Sequence, residues 1–236
     1  MLRRCLPFAD RVVAISRATA EEALKRGTRT VAVIPCGIGK NAQCPMPNAQ
    51  KIPNSQFPRT LLFLGRQIRR KGTLWFLEKV LPLVIKTHPD LRVVIAGDGP
   101  MLPMIRATVD RLKLESTVSV SGEISDQQKE ELYRSSSLFV MPNIPVAGDM
   151  EGFGLVCIEA AANGLPVVAA KLEGIADAVI EGETGLFFSP LDADEACSKI
   201  IDALHRQWDS QRIQQICLKH FDITTVARRY REEVFG

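Results

Sequence analysis

Two glutamates in segment 148–166 have the type and spacing of ligand-binding carboxylates. The segment reads GDMEGFGLVCIEAAANGLP, and seven residues separate Glu151 from Glu159. From Leu155 to Ala162 every residue except Glu159 is apolar or small. This pattern predicts a helix that is buried on all sides and ends at Gly164. A carboxylate on such a helix is unfavourable unless hydrogen bonds satisfy it.

Two interpretations of Glu159 follow. One is an internal ion pair with an arginine from a neighbouring loop. The other is that the carboxylate accepts two hydrogen bonds from the vicinal diol of a ribose, as acidic side chains do in dinucleotide-binding folds. Glu151 lies just outside the helix, where it meets a different part of the same ligand. The amides of Phe153, Gly154 and Leu155 form a helix start that favours an anion.

A basic loop at 65–72, GRQIRRKG, follows a predicted strand and precedes a predicted helix. Its cations are Arg66, Arg69, Arg70 and Lys71. Gly65 and Gly72 bracket them and let the backbone approach a ligand. Such a loop next to a helix start suits a phosphate group. The alternative is a solvated basic loop without a ligand.

Two further turns follow predicted strands. The GDGP turn at 97–100 is most simply a strand-to-helix connection with Pro100 at the first helical position, and it also has the place to line a nucleotide cleft. Gly122, Glu123 and Ile124 hold the equivalent place after the next strand. We expect contacts with the base of a nucleotide there, made largely by the backbone.

The elements that position these residues alternate between short β-branched runs and segments with helical periodicity. Most of the runs are apolar throughout, which is typical of parallel strands covered on both faces. The predicted strands are 11–16, 30–35, 60–65, 91–97, 118–122, 138–142, 166–170 and 185–188. The series predicts an α/β fold with a doubly wound parallel sheet and right-handed crossovers. Ligands bind beyond the carboxyl ends of such strands.

Composition excludes several classes of protein. Hydrophobic residues make up 46% and charged residues 24% of the 236 residues, as in an ordinary globular chain. The net charge of +3 is close to balance and the 30 Lys and Arg are spread along the chain, which argues against nucleic-acid binding. The six cysteines have no metal-site spacing. No leader or spanning segment is visible, so a cytoplasmic protein is expected. Arg3, Arg4 and Arg11 leave open a peripheral contact with an anionic membrane, although solvated surface residues are the simpler interpretation.

The chain divides at a segment rich in Pro, Asn and Gln. Residues 39–58 have linker composition and separate a strand–helix–strand piece, 1–38, from a larger unit, 59–220. A piece of that size cannot form its own core, so 1–38 is expected to be the end of another domain. A last helix occupies 221–236.

Together these motifs resemble the C-terminal half of the retaining family-4 (group 1) glycosyltransferases of the GT-B fold. The matching motifs occur in the family's order over 59–220: GRQIRRKG, HPDLRVVIAGDGP, EGFGLVCIE, AAANGLPVVA and EGETGLFFSP. The opening FADRVVAISRATAEEALKRG and VAVIPCGI resemble the last strand–helix–strand of the family's N-terminal domain. FDITTVARRYREEVF resembles the helix that crosses back onto that domain.

The resemblance implies a Rossmann-like domain that binds a nucleoside-diphosphate sugar, without a metal cofactor. It places Arg66 and Lys71 on the diphosphate, Glu159 on the ribose and Glu151 at the donor sugar. The amides after Glu151 then hold sugar and phosphate. The reaction would transfer the sugar to an acceptor hydroxyl with retention of anomeric configuration.

The chain also departs from the family. The N-terminal acceptor domain and its histidine have no counterpart, and His88, His205 and His220 occupy other places. We therefore expect a chain that is incomplete as an isolated enzyme: a fragment, or a subunit whose partner supplies the missing domain.

Three other functions are alternatives to a glycosyltransferase. The first is a non-catalytic nucleotide-sugar-binding or split-enzyme subunit. A dehydrogenase would need Gly-x-Gly-x-x-Gly where Gly65, Arg66 and Gln67 stand. A phosphorylase would need a pyridoxal-binding lysine in a context the sequence lacks. The sequence leaves the base, the sugar and the acceptor open.

Overall fold

The computed structural model describes residues 5–39 and 59–235. All eight predicted strands are present within these ranges, with ends shifted by a few residues. The strands are β1 Val12–Ala14, β2 Val31–Val33, β3 Thr60–Leu64, β4 Arg92–Ala96, β5 Val118–Gly122, β6 Leu138–Met141, β7 Val167–Ala170 and β8 Gly185–Phe188.

Helices occupy most of the remaining described chain. They are α1 Arg17–Lys25, α2 Thr73–Trp75, Phe76–Val80 and Leu81–Thr87 in one run with a π-helical middle, α3 Leu102–Arg111, α4 Asp126–Ser135, α5 Leu155–Ala162, α6 Ile175–Ala178, α7 Ala193–His205, α8 Ser210–Phe221 and α9 Ile223–Phe235. Two of these helices begin at a residue whose side chain caps them. The Ser125 side chain accepts from the Gln128 amide in a capping box, and the Asp192 side chain accepts from the amide of Glu195.

Six strands form one sheet in the order β5-β4-β3-β6-β7-β8, and every neighbouring pair is parallel. The chain winds outward from β3 to β5, then returns to the other side of β3 and winds outward from β6 to β8. This is the predicted doubly wound arrangement. The switch point lies between β3 and β6, whose carboxyl ends are neighbours at the edge where such folds bind ligands.

Apolar layers cover both faces of this sheet. On one face, Phe76 of α2, Ile105 of α3 and Ile200 of α7 belong to one buried cluster. On the other face, Ile158 of α5 and Cys217 of α8 belong to a second. Since the sheet is packed on both sides, the loops at its carboxyl edge extend from a rigid base.

The first described residues form a separate unit. β1 and β2 pair in parallel in a two-stranded sheet of their own. Arg17 of α1 forms an ion pair with Asp177 of α6, with Nε and Oδ1 2.6 Å apart. Arg229 of α9 donates to the Val33 carbonyl at 3.3 Å, so the last helix also reaches this unit.

The domain boundaries at 38, 58 and 220 stay predictions. Residues 1–4 and 40–58, which include most of the predicted linker and Arg3 and Arg4, lie outside the described residues.

Gly72 joins the basic loop to the exit of β6. Its φ is +68°, in the left-handed region, and a Cβ at this position would lie 1.9 Å from the Pro142 carbonyl oxygen. The loop therefore approaches the backbone after β6 too closely for any side chain at Gly72.

We predict that Gly72→Ala is much more destabilising than Gly148→Ala. Both glycines have positive φ, but a Cβ at Gly148 would meet nothing within 4 Å. The Gly148 change is expected to cost about 1–2 kcal/mol from backbone conformation alone. The Gly72 change adds about 1–3 kcal/mol of overlap. The measurement is the free energy of unfolding in urea. Equal losses would contradict the close approach of the two loops.

Candidate functional site

The loops that follow β3 and β6 meet through an ion pair. Lys71 ends a short 3-10 turn, Arg69–Lys71, after β3. Its Nζ lies 2.6 Å from Oε2 of Glu151, in the segment that connects β6 to α5. The two side chains are 16% and 11% exposed, so the pair is largely shielded from water. The predicted phosphate loop and the first predicted carboxylate are thus in direct contact.

Arg70 adds a second cation to this pair. Its Nη1 lies 2.9 Å from Asp149 Oδ1, and its Nε lies 3.4 Å from Glu151 Oε2. We call Arg70, Lys71, Asp149 and Glu151 the cleft network. Two cations and two anions alternate in it, so the network carries no net charge.

Asn143 also contacts the cleft network. Its Nδ2 donates to Glu151 Oε2 at 3.2 Å. The side chain is buried, and within the described chain its Oδ1 accepts no hydrogen bond. Asn143 lines a small pocket together with Gly65, Gln67 and Lys71. Asn143 is therefore a buried support for the Glu151 carboxylate, directly after β6.

The environment of Glu151 favours its ionised form. Burial raises the pKa of this carboxyl, but Lys71, Arg70 and the hydrogen bond from Asn143 outweigh burial and leave the pKa below its ordinary value. The backbone of Glu151 is held as well, since its amide donates to Glu173 Oε2 at 2.5 Å. Burial raises the pKa of Glu173, and the neighbouring charge of Glu151 raises it further.

Glu159 lies on the same side of the sheet but has a different partner. Its Oε2 accepts from the Tyr133 hydroxyl at 2.9 Å. Tyr133 comes from α4 and is 3% exposed. Burial, and then the charge of Glu159, raise the pKa of this phenol well above its ordinary value. In the described ranges Glu151 forms ion pairs and Glu159 forms none, so no arginine of these ranges makes the ion pair that one interpretation of Glu159 expects.

Helix α5 is less buried than its sequence predicts. Leu155 at its first turn is 48% exposed, so the expected burial on all sides is wrong at this end. Gly154 is the N-cap residue with φ +87°, and no side chain caps the helix. Phe153 is 2% exposed and packs edge-on against Phe221, with ring centroids 5.9 Å apart. The Phe153 side chain therefore anchors the turn in the core, and the contribution of 153–155 to a ligand falls to the backbone.

Gln67 holds the basic loop in place. Its Nε2 donates to the carbonyls of Gly65 and Ala96 at 2.9 and 3.2 Å, and its Oε1 accepts from Thr73 at 2.9 Å. The side chain is 3% exposed, whereas the adjacent Arg66 is exposed. Sequence reasoning missed Gln67 as well as Tyr133, Asn143 and Glu173. The available signal for Gln67 was a neutral residue between the cations of 65–72.

Gly122 and Ile124 lie at the same edge, two strands from β3. Gly122 ends β5, and its carbonyl accepts from the Gly97 amide at 2.6 Å. Ile124 is partly exposed directly before the cap of α4. The turns after β4 and β5 are therefore joined at the carboxyl edge of the sheet.

Residues 5–39 and 59–235 contain neither a cluster of metal ligands nor a membrane-spanning helix. No group of three or more His, Cys, Asp or Glu residues in this part of the chain has an arrangement that would hold a metal ion. No helix among these residues is long and apolar enough to cross a membrane.

Comparison with known proteins assigns the chain to a family. Residues 58–206 match the family model described as "Glycosyl transferases group 1". The match covers more than half of the chain, so the chain belongs to the group 1 glycosyl transferases.

Curated relatives agree with this assignment. The chain is 28% identical over 211 residues to the GDP-mannose-dependent alpha-(1-6)-phosphatidylinositol monomannoside mannosyltransferase of Mycolicibacterium smegmatis, which covers 86% of this chain and 55% of the relative. It is 29% identical over 174 residues to the glycogen synthase of Mycobacterium tuberculosis, covering 72% of this chain and 41% of the relative. The chain thus spans about half the length of these relatives or less.

Solved structures confirm the fold. The Anabaena protein HepE in complex with UDP-glucose superposes with a TM-score of 0.78 at 23% identity, over 98% of this chain and 65% of HepE. Sucrose-phosphate synthase from Thermosynechococcus elongatus superposes with the same score at 24% identity, over 98% of this chain and 59% of that one. This likeness shows the GT-B arrangement of the chain.

We predict that Glu151→Gln lowers stability at neutral pH and not in acid. The folded-state pKa of Glu151 is depressed, so its ion pairs contribute above the ordinary value of 4.5 and are lost as pH falls through the depressed value. At pH 7 the variant should lose about 1–2 kcal/mol of unfolding free energy. Thermal unfolding of both proteins between pH 7 and pH 3 measures the gap, which should narrow below about pH 4.5. A gap independent of pH would contradict the ionised state of Glu151.

A second prediction concerns Tyr133 and Glu159. Tyr133→Phe keeps the buried ring and removes the donor to the carboxylate, so we expect a loss of about 1–2 kcal/mol in unfolding free energy. Combined with Glu159→Ala, which removes the acceptor, it should give a coupling energy of about 1 kcal/mol in a double-mutant cycle. Additive losses would show that the hydrogen bond contributes nothing to the fold.

Proposed function

We propose that this chain supplies the donor site of a glycosyltransferase that moves a sugar from a nucleoside diphosphate to an acceptor hydroxyl with retention. The contact between Lys71 and Glu151 carries this proposal, because it puts a phosphate-binding cation beside a sugar-orienting carboxylate at the switch point of the sheet. Family membership and the UDP-glucose bound to HepE support a donor of this chemical class.

Arg66 and Lys71 bind the diphosphate in this proposal. Negative charge grows on the diphosphate as its bond to the sugar breaks, and cations held in place oppose that charge without reorganising. One fixed donor of this kind contributes about 2.7–4 kcal/mol to transition-state stabilisation. Arg66 is exposed and open to a ligand. The Lys71 ammonium has three donors, so it can keep one bond to Glu151 and direct another at a phosphate oxygen. The open amide end of α5, at 153–155, adds to this binding.

Glu151 orients the donor sugar. Its ion pairs keep it negative, so it also offsets positive charge that grows at the anomeric carbon. Asn143 donates to the same carboxylate from a buried position and so helps to fix its direction. We assign Glu151 an electrostatic and orienting role and no covalent bond to the sugar. A metal cofactor is not part of this mechanism.

Glu159 binds the ribose, and the turn at Gly122 and Ile124 receives the base. Tyr133 takes one lone pair of the Glu159 carboxylate and fixes its direction, which leaves the other oxygen for the diol. Gly65 lets the chain pass close to the nucleotide, since its φ of +136° is reserved for glycine.

The acceptor site belongs to a domain beyond this one, on the same polypeptide or on a partner subunit. We place the assembled protein in the cytoplasm. The mycobacterial relative is named for a phosphatidylinositol acceptor, which makes peripheral contact with a membrane part of the proposal. A nucleotide-sugar-binding subunit without catalysis is the second candidate. The observation in its favour is that the residues with assigned roles, Arg66, Lys71, Glu151 and Glu159, all act on the donor in this proposal. Turnover of the donor distinguishes the two.

Calorimetric titration with UDP, GDP and ADP tests the donor site. We expect one nucleotide to bind, and Glu159→Ala to weaken it tenfold or more, because the ribose loses its charged acceptor. Glu183→Ala is the matched control: this exposed glutamate precedes β8 at the opposite edge of the sheet and should leave affinity unchanged. A folded protein that binds none of the three nucleotides, or loses affinity equally in both variants, would refute the donor-site assignment.

A further inference from the structure

Glu173 has a backbone conformation that its side chain makes unfavourable. Its φ is +50°, in the left-handed region that residues with a Cβ rarely adopt. Such a conformation costs free energy and persists only where the surroundings impose it, and it is found often at functional sites. Glu173 lies between β7 and α6, at the same carboxyl edge of the sheet as the cleft network.

The Glu173 side chain bonds to the backbone of Glu151. Its Oε2 accepts from the Glu151 amide at 2.5 Å, and the next amide along, that of Gly174, donates to the Glu151 carbonyl at 3.1 Å. A Cβ at Gly174 would lie 2.0 Å from the Gly152 carbonyl oxygen. Residues 173 and 174 therefore hold both polar groups of the Glu151 backbone and pack directly on the peptide that follows.

The charge of Glu173 is also locally unfavourable. Its carboxylate lies near those of Glu151 and Asp149, and Arg70 offsets only part of this repulsion. A third carboxylate beside a cleft that binds an anion does not help to attract that anion. Glu173 therefore has an unfavourable backbone conformation and an unfavourable charge, and the contact that its side chain makes is with the Glu151 backbone.

We propose that Glu173 is a positioning residue for the donor sugar, which acts by fixing the backbone of Glu151 so that the Glu151 carboxylate keeps its direction. The inference rests on the proposed donor site. Glu151 meets the sugar and Glu159 meets the nucleotide, so Glu173 affects the binding of the sugar more than that of the nucleotide.

Three variants separate this role from a structural one. Glu173→Gly removes the side-chain acceptor and suits the positive φ. Glu173→Gln keeps an acceptor oxygen without the charge. Lys113→Gly is the matched control, because Lys113 has φ +55° and is exposed at the end of α3, away from the cleft. The melting temperatures of all three variants should stay within about 4 °C of the parent protein, as expected for changes near 1 kcal/mol.

The parent protein is first titrated by calorimetry with three pairs of ligands: UDP and UDP-glucose, GDP and GDP-mannose, and ADP and ADP-glucose. The affinities of the variants are then measured with the pair that the parent binds. In Glu173→Gly, we expect affinity for the nucleoside diphosphate within twofold of the parent and at least fivefold weaker binding of the nucleotide sugar. Glu173→Gln should restore the nucleotide sugar to within twofold, and Lys113→Gly should match the parent for both ligands.

Unchanged binding of the nucleotide sugar to Glu173→Gly would overturn the positioning role. A parallel loss of both ligands would also overturn it, because that result indicates general disruption of the cleft. A parent protein that binds no member of any pair refutes the donor site itself, and the role of Glu173 with it. If Glu173→Gly binds both the nucleoside diphosphate and the nucleotide sugar as tightly as the parent does, only the role of Glu173 is rejected.

Discussion

The ion pair between Lys71 and Glu151 is the interaction on which the rest of the site depends. It joins the two loops that leave β3 and β6, the neighbouring strands at which the winding of the sheet reverses. An isolated buried charge is costly, so either residue alone would be unfavourable in this position. Together with Arg70 and Asp149 they form a network without net charge. In the proposed function, a diphosphate meets cations whose positions are set by the protein.

Several contacts hold the backbone around this network in place. Gly72 lets the basic loop lie against the chain after β6, and Gln67 ties the same loop to Gly65 and Ala96. Glu173 holds Glu151 from the opposite side. Each of these residues acts on backbone groups, and two apolar clusters fix the sheet beneath them. The site thus resembles a rigid frame around a few charged side chains, which is the arrangement that electrostatic stabilisation of a transition state requires.

The sequence predicts the fold well because its signals are local. Apolar runs mark the eight strands, and Ser125 and Asp192 mark helix starts by the caps they form. Spacing and residue type also predict the contact region of Lys71 and Glu151, since both follow strands that meet at one edge. Contacts that depend on the three-dimensional approach of distant segments are different. Tyr133 contacts Glu159 from another helix, so the sequence gives no local signal for this pair. Glu173 accepts from the backbone amide of Glu151, and a backbone amide is present whatever residue stands at that position. The exposure of Leu155 was mispredicted because periodicity reports the character of a helix and not what covers it.

The most direct test of this account is a crystal structure of the chain with a bound nucleoside diphosphate. We predict phosphate oxygens about 3 Å from the side-chain nitrogens of Arg66 and Lys71, and ribose hydroxyls at a similar distance from the Glu159 carboxylate. Glu151 should remain held by Asn143 and Glu173, with its free face toward the space for the sugar. A nucleotide bound elsewhere on the protein, with the loops after β3 and β6 free of any ligand, would contradict the central claim.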